Sequence, residues 1–257
     1  MVTRKEYKKL HAEWYELASA YNNTPELNFW TQGIRAAGEP ALELGSGTGR
    51  VLLPLLERGL DVWGIDNSPN MMARCRAAAA RKGLSPKLYE QSMTSFELPQ
   101  QFGLILGASG CLSLFVDDGD VHSTLGRVMH HLRPGGLFIC EMEHAPTDPP
   151  APSSDSFGGD WFAGPDGTII SWRRKHKYDG SSRTWKQLFI VEKFVDGRLV
   201  ETEANDRVGR RFTVQEAVAF AQAAGFDDIR VTAWLTDRPP ESSDNVATIQ
   251  CRKPTTG

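Results

Sequence analysis

The chain has 257 residues, 40% hydrophobic and 24% charged, which is the composition of a soluble globular protein with one large domain or a domain that carries an insertion. Its net charge of -3 gives no overall field that would attract nucleic acid or an anionic membrane. The four cysteines are far apart and form no CxxC pair, which favours free thiols over a disulfide framework or a zinc site. We therefore expect a cytoplasmic protein with no nucleic-acid partner and no membrane partner.

The first part of the chain is predicted to form two helices. Larger apolar residues recur at helical spacing from Lys5 to Tyr21. The sequence NNTPE then interrupts the pattern, with Thr24 as an N-cap and Pro25 at the first position of a second helix.

Short apolar runs alternate with helical patterns from about residue 40 to residue 142. The strand candidates are PALEL, DVWGID, PKLYEQ, FGLILGA and GLFICEME. The helices between them run roughly from Gly49 to Arg58, from Pro69 to Lys82 and from Asp117 to Leu132. This alternation is typical of βαβ units and predicts an α/β, Rossmann-like, doubly wound sheet with helices on both faces.

The pattern changes after the fifth strand. Residues 144–159, HAPTDPPAPSSDSFGG, are predicted to form a loop. SWRRKHKY, TWKQLFIVEKF and GRLVETE follow, separated by the turn signals DGSS and DG, and they predict an antiparallel insertion at about 160–212. A helix that begins with the capping box Thr213–Glu216 and two closing strands complete the chain.

The stretch ALELGSGTGR places three glycines directly after the first strand and at the start of a helix. In an open parallel sheet this is where ligands bind. A P-loop would need a lysine after the glycines, and a dinucleotide site would place pyrophosphate next to Glu43, which would repel it. S-adenosylmethionine carries a sulfonium and an ammonium group instead, so Glu43 favours that ligand.

Several segments resemble, in order, the motifs of class I S-adenosylmethionine-dependent methyltransferases. LELGSGTGR resembles the glycine-rich motif, and VWGIDNSPNMM resembles the motif of the second strand. LRPGGLFICEME resembles the turn and fifth strand, and AAGFDDIRV the last helix, turn and strand. The resemblance covers roughly residues 40–142 and 213–252, and it implies that the last strand of the sheet is antiparallel.

The resemblance implies S-adenosyl-L-methionine as the cofactor and S-adenosyl-L-homocysteine as the product. Asp66 would bind both ribose hydroxyls, Met71 would lie against the adenine, and Ser92 stands where the family often has an acid. The residues expected to bind the cofactor are Tyr15, Glu43, Gly45, Ser46, Gly47, Thr48, Gly49, Arg50, Asp66, Asn67, Met71, Ser92, Met93, Thr94 and Ala108.

The N-terminal helices resemble the lid of small-molecule members, and an insertion after the fifth strand is typical of glycine, sarcosine and amino-sugar N-methyltransferases. We therefore expect a methyltransferase domain at 1–142 plus 213–257, with a helical lid at 1–37, and an inserted substrate-side subdomain at 143–212. Residues expected to contact the acceptor, each with core packing as the alternative, are Tyr21, Phe115, His144, Trp161, Trp172 and Tyr178. Tyr15 and His144 are the candidate catalytic residues, mainly for positioning.

The function expected from these features is methyl transfer to an amine nitrogen of an amino-sugar or amino-acid-derived natural product, as in antibiotic biosynthesis. Two alternatives are a small-molecule O-methyltransferase with His144 as base and a non-catalytic binding protein with the same fold. An NAD(P)-dependent oxidoreductase is a further alternative that Glu43 disfavours.

GASGCLSLF, after the fourth strand, lacks the carboxylate of a catechol-type magnesium site, so we expect no metal. The expected partners are the small-molecule acceptor and a second copy of the chain that contacts the β insertion.

Overall fold

The computed structural model describes residues 7–19, 24–146, 153–164 and 167–255, which form six α-helices and eleven strands. The helices are α1 (Lys9–Ala18), α2 (Thr24–Ala37), α3 (Leu52–Glu57), α4 (Pro69–Arg81), α5 (Asp118–His131) and α6 (Val214–Ala223). The strands are β1 (Ala41–Leu44), β2 (Val62–Asp66), β3 (Lys87–Glu90), β4 (Phe102–Gly107), β5 (Leu132–Glu143), β6 (Ser154–Ala163), β7 (Ile169–Asp179), β8 (Thr184–Val195), β9 (Arg198–Arg210), β10 (Asp227–Ala233) and β11 (Val246–Arg252).

A seven-stranded sheet in the order β10-β11-β5-β4-β1-β2-β3 forms the centre of the molecule. Only β11 runs antiparallel to its neighbours, β5 and β10. The expected α/β fold, mostly parallel with an antiparallel last strand, is therefore confirmed. Four parallel strands, β4, β1, β2 and β3, lie side by side, so their carboxyl ends form one continuous edge.

Helices cover both faces of this sheet because alternate strand residues point to opposite sides. Phe138 and Val128 belong to the hydrophobic cluster on one face, together with residues of α6. Trp30, Ile34 and Leu104 belong to the cluster on the other face. Since the side chains of Trp30 and Ile34 are fully buried against the sheet, α2 is a layer of the core, and the lid expected at 1–37 stays a prediction.

The insertion forms a second sheet, antiparallel throughout, in the order β6-β7-β8-β9. Helix α1 packs on one face of it, where Leu10 joins Ile170, Phe189 and Val191 in a small hydrophobic cluster. We call this the inner face of the insertion sheet. It carries the even-numbered side chains of β7 and the odd-numbered side chains of β8 and β9.

Several boundaries differ from the sequence-based expectations. The prediction of a loop at 144–159 is wrong from Ser154 onward, because β6 begins there and pairs with β7 along its whole length. Helix α3 spans only Leu52–Glu57, since the glycine turn occupies the start of the predicted helix. Strand β5 begins at Leu132, within the segment predicted as a turn. Among the described residues, none of the helices is long and apolar enough to span a membrane.

Candidate functional site

The glycine-rich turn lies between β1 and α3, at the continuous edge of the central sheet. Gly45, Gly47 and Gly49 have φ values of 65°, 54° and 86°, a region that side chains with a Cβ rarely adopt. A Cβ on Gly49 would lie 2.7 Å from the Cys75 sulfur, so the turn is closed on that side. A Cβ on Gly47 would meet no atom closer than 3.9 Å, so a ligand can approach the backbone there.

Asp66, the last residue of β2, holds this turn in place. Its Oδ2 accepts a hydrogen bond from the Gly47 backbone N–H at 2.8 Å, and its Oδ1 accepts one from the Ser68 N–H at 2.7 Å. Burial raises the pKa of Asp66, and the two backbone N–H groups act against that effect. Each carboxylate oxygen can accept a second hydrogen bond, so both oxygens remain able to bind hydroxyl groups.

Glu43 lies in β1 just before the glycine turn and is 3% exposed. The Leu52 backbone N–H donates to its carboxylate, but Oε2 has no hydrogen-bond partner among the described residues. Burial raises the pKa of Glu43 to about 8, with the Arg50 charge acting in the opposite direction. A buried carboxylate oxygen without a partner is uncommon in proteins and is suited to a cationic ligand group.

Arg50 is not directed at a ligand phosphate, because it is held by protein groups. Its guanidinium binds Glu26 of α2 at 2.5 and 2.9 Å, and also the Ser109 hydroxyl at 2.6 Å. Ser109 in turn donates its backbone N–H to Glu141 at 3.0 Å. Burial raises the pKa of Glu141 to about 7. The edge thus contains Glu26, Glu43, Asp66 and Glu141 around a single arginine among the described residues.

The other residues expected at the cofactor site follow the neighbouring strands. Asn67 and Met71 follow β2, and Met71 is 2% exposed. The Ser92 and Thr94 hydroxyls lie 2.9 Å apart after β3. The list is completed by Ser46 and Thr48 in the glycine turn, Met93 after β3 and Ala108 after β4, all buried or half-buried. The structure therefore brings these residues together at one edge of the sheet.

Comparison with known proteins identifies this part of the chain. Residues 41–136 match the family described as methyltransferase domain. The chain is 25% identical over 222 residues to a candidate methyltransferase of Geobacillus sp. (strain WCH70), covering 82% of this chain and 84% of the relative. Residues 41–136 form a methyltransferase domain.

Solved methyltransferase structures share the whole fold. The sugar N-methyltransferase KedS8 from Streptoalloteichus sp. superposes with a TM-score of 0.77 at 16% identity, covering 99% of this chain and 96% of that one. CalS10 from Micromonospora echinaspora is an amino pentose methyltransferase solved with S-adenosylmethionine. It superposes with a TM-score of 0.69 at 19% identity, covering 97% of this chain and 99% of that one. The likeness therefore includes α1 and the insertion sheet.

The residues of the methyltransferase domain fit S-adenosylmethionine. The unpartnered Oε2 of Glu43 suits a cationic group, and the open backbone at Gly47 leaves room beside it. Asp66 keeps lone pairs for the ribose hydroxyls. The excess of carboxylates favours a cofactor that carries a positive charge and no phosphate.

Tyr15, expected to act in catalysis and cofactor binding, and the residues expected at the acceptor site are more dispersed. Tyr15 is half-buried and contacts Trp14 edge to face, and Trp172 stacks on Phe189 in the insertion sheet. Tyr178 is 3% exposed on the inner face, with Arg211 4.6 Å from its ring centre. Tyr21 lies outside the described residues.

The other three acceptor candidates differ from one another in their surroundings. Phe115 is 2% exposed within the hydrophobic cluster of the central sheet. Trp161 is 62% exposed and pairs with Ser171, so it lies on the outer face of the insertion sheet. His144 is 4% exposed, and its Nδ1 lies 2.9 Å from the Asp244 carbonyl oxygen.

Sequence reasoning did not single out Glu143, the last residue of β5. Burial raises the pKa of Glu143, and the charges of Arg211, Arg207 and Arg174 act against that effect. The sequence pattern that could have identified Glu143 is the alternation Glu141, Met142, Glu143. It places two carboxylates on one side of an extended strand, at the carboxyl end of that strand. His144 follows directly and therefore points to the opposite side.

Glu97, His130 and His131 place a carboxylate and two imidazoles within 4.8 Å, away from the sheet edge that carries Asp66. Both ring nitrogens of His131 are already engaged. Nε2 accepts the Leu98 N–H at 3.0 Å, and Nδ1 lies 2.9 Å from the Arg127 carbonyl. The cluster therefore has a structural explanation, and the absence of a metal stays a prediction.

Proposed function

We propose that this protein transfers the methyl group of S-adenosylmethionine to an amine nitrogen of a small molecule, an amino sugar or an amino-acid-derived natural product. The observation that carries the proposal is the likeness to KedS8 and CalS10 over nearly the whole chain, including α1 and the insertion sheet. CalS10 is described as involved in calicheamicin biosynthesis, which supports a role in antibiotic-type biosynthesis.

The residues of the site suggest how the transfer proceeds. An amine acceptor reacts as the neutral amine, and the carboxylate of Glu143, at the end of β5, accepts a hydrogen bond from its N–H and aligns its lone pair. The nitrogen lone pair then forms a bond to the methyl carbon while the carbon–sulfur bond breaks and its electron pair stays on sulfur. The chain contributes alignment and exclusion of water, which are the main sources of rate in such displacements.

Replacement of Asp66 tests the cofactor assignment. Asp66→Ala removes two acceptors for the ribose hydroxyls and the partners of the Gly47 and Ser68 N–H groups. We expect a loss of about 2–4 kcal/mol in S-adenosylhomocysteine binding, measured by calorimetry. Glu90→Gln, an exposed carboxylate paired with Asp66 across β2 and β3, is the control and should bind normally. Normal binding by Asp66→Ala, or tight binding of NADH by the wild type, would contradict the assignment.

Variants of two neighbouring residues distinguish an amine acceptor from an oxygen acceptor. For an amine, kcat/KM rises with pH along the acceptor's own titration, His144→Gln costs a few-fold at most, and Glu143→Gln lowers kcat by about 10–10². For an oxygen acceptor with His144 as base, His144→Gln lowers kcat by about 10²–10⁴ and removes the fall in rate at low pH that protonation of the base causes. The second result, with cofactor affinity unchanged, would overturn the amine proposal.

Two further expectations belong to the same proposal. Turnover of any acceptor excludes a purely non-catalytic binding role, so a screen of amines with labelled S-adenosylmethionine tests it.

We also propose that a second copy of the chain covers the outer face of the insertion sheet, where Phe157 is 77%, Trp161 62% and Leu188 41% exposed. A monomer of unchanged mass at all concentrations in sedimentation runs would contradict that arrangement.

A further inference from the structure

The inner face of the insertion sheet carries buried polar groups without partners. The Tyr178 hydroxyl, His176 Nδ1 and Trp172 Nε1 are buried atoms that have no hydrogen-bond partner among the described residues. All three side chains belong to β7 and point to the same side of the sheet. Buried polar groups in native proteins nearly always have a partner, so this row of groups is suited to a polar ligand.

Three arginines act on Glu143 beside this row of groups, on a face that also carries Glu201 and Glu203 of β9. Arg211 lies with its Nε 3.7 Å from Glu143 Oε2 and its guanidinium over the Tyr178 ring. Arg207 lies over the Tyr7 ring at 4.8 Å and donates a hydrogen bond to the Tyr7 hydroxyl. Arg174 is the third guanidinium whose charge acts on Glu143. Three arginines thus surround one carboxylate.

Arg174 has room on this face because its partner in β6 is a glycine. Gly158 pairs with Arg174, and a Cβ on Gly158 would lie 3.5 Å from the Arg174 Nε and 3.9 Å from the Trp172 ring. The Arg174 side chain is exposed and lies beside Trp172 at 5.9 Å. Arg174 and Arg211 also act electrostatically on His176, so the cations and the unpartnered groups occupy one region.

We propose that the methyl acceptor carries an oxyanion group, a carboxylate or a phosphate ester, that binds on the inner face of the insertion sheet between Arg174, Arg207 and His176. This inference rests on the proposed function, because the acceptor's amine then lies at Glu143 and its oxyanion at the arginines. Guanidinium groups bind carboxylate and phosphate oxygens through paired N–H donors.

The next residue along β7 provides a matched control. Arg173 points to the outer face, where it pairs with Glu192 at 3.1 Å. Arg173→Gln and Arg174→Gln therefore remove the same charge from adjacent positions, and only the second removes it from the inner face. Both side chains are exposed, so neither variant opens a cavity in the core.

The test is a calorimetric titration of the complex with S-adenosylhomocysteine, using sodium acetate, inorganic phosphate and pyrophosphate at a constant ionic strength set with chloride. We expect at least one of these probes to bind the wild type, a loss of about tenfold or more in Arg174→Gln, and a change below about twofold in Arg173→Gln. Binding of acetate alone assigns a carboxylate, and binding of phosphate or pyrophosphate assigns a phosphate ester.

Two results would overturn the proposal: none of the probes binds, or Arg173→Gln weakens binding as much as Arg174→Gln does. The affinity for S-adenosylhomocysteine, measured first, separates this proposal from the function on which it rests. Normal cofactor binding without oxyanion binding overturns only the oxyanion site. If the wild type does not bind S-adenosylhomocysteine, the proposed function fails, and the same titrations on the free protein still decide whether the arginines bind an oxyanion.

Discussion

Two carboxylates near the ends of adjacent strands have different surroundings: Glu43 is buried and Asp66 is half-buried. Asp66 has a backbone N–H on each oxygen, whereas Glu43 Oε2 has no partner among the described residues. Hydrogen bonds to the charged form offset part of the effect of burial at Asp66. At Glu43 burial dominates and raises the pKa to about 8, so most of this group is protonated near pH 7 in the free protein.

Binding of S-adenosylmethionine at pH 7 should therefore release a proton from Glu43. A cation beside a carboxyl group lowers its pKa, and we expect roughly 0.5–1 proton released per cofactor bound. Calorimetry in two buffers with different ionisation enthalpies measures this number directly. Glu43→Gln should bind more weakly and lose this release, while the exposed Glu90→Gln should keep it. A binding enthalpy of the wild type that is the same in both buffers would show that Glu43 does not interact with the cofactor.

Helix α1 connects the methyltransferase domain to the insertion sheet. The N–H groups of Leu10 and His11 at its N-terminus donate to Glu203 of β9, at 2.9 and 3.3 Å. Glu13 pairs with Lys193 of β8 at 2.8 Å and with Arg74 of α4 at 2.9 Å. The position of α1 thus depends on both parts of the molecule.

Arg74 is the residue of α4 on which this connection most depends, because it pairs with both Glu13 and Glu16 at 2.9 and 2.8 Å. These pairs are partly buried, so Arg74→Gln should cost about 1 kcal/mol and release α1 more readily. We expect faster amide hydrogen exchange in α1 and a three- to tenfold rise, roughly, in KM for the acceptor. Arg76→Gln, on the exposed side of the same helix, is the control. Unchanged exchange in α1 after Arg74→Gln would show that these pairs do not hold the helix.

The elements of the central sheet could be predicted because their signals are local. The glycines after β1, Ser68 with Pro69 at the start of α4, and the capping box of Thr213 and Glu216 each determine an adjacent boundary. The common location of the residues expected to bind the cofactor followed from these elements, since the carboxyl ends of adjacent parallel strands meet at one edge. Strand β6 was missed because its Gly158 and Gly159 suggest a loop, although they make room for β7.

The acceptor side could not be predicted in the same way because it depends on which face of each strand points inward. A shift of one residue exchanges the two faces of a strand. Trp161 and Trp172 looked equivalent in the sequence, but Trp161 lies on the outer face and Trp172 on the inner face. Arg173 and Arg174 differ in the same way. Strand pairing with residues far away in sequence determines which face each side chain points to, so the local sequence pattern does not predict it.

Across the whole molecule, charge is divided between the two sheets. The edge of the central sheet carries Glu43, Asp66, Glu141 and Glu143, whose pKa values are all raised first by burial. The inner face of the insertion sheet carries the arginines. Near neutral pH, Glu43 and Glu141, whose pKa values burial raises to about 8 and about 7, hold protons in the free protein that they would lose in the unfolded chain, and this difference couples the stability of the whole chain to pH.

The free protein should lose stability as pH rises from 6.5 to 8.5. Burial raises the pKa values of Glu43 and Glu141 from 4.5 to about 8 and about 7, so the folded state binds more protons than the unfolded state in this range. The free energy of unfolding then falls with pH, on the order of 2 kcal/mol over these two units. Burial lowers the pKa of His11 to about 3, so below pH 6.5 the unfolded state binds a proton at His11 that the folded state does not. In that range His11 makes the free energy of unfolding rise with pH. Urea unfolding at pH 6.5, 7.5 and 8.5 measures the slope, which should be smaller in Glu43→Gln and with saturating S-adenosylmethionine. A free protein whose stability stays constant or increases over this range would mean that the two carboxyl groups are already ionised at neutral pH.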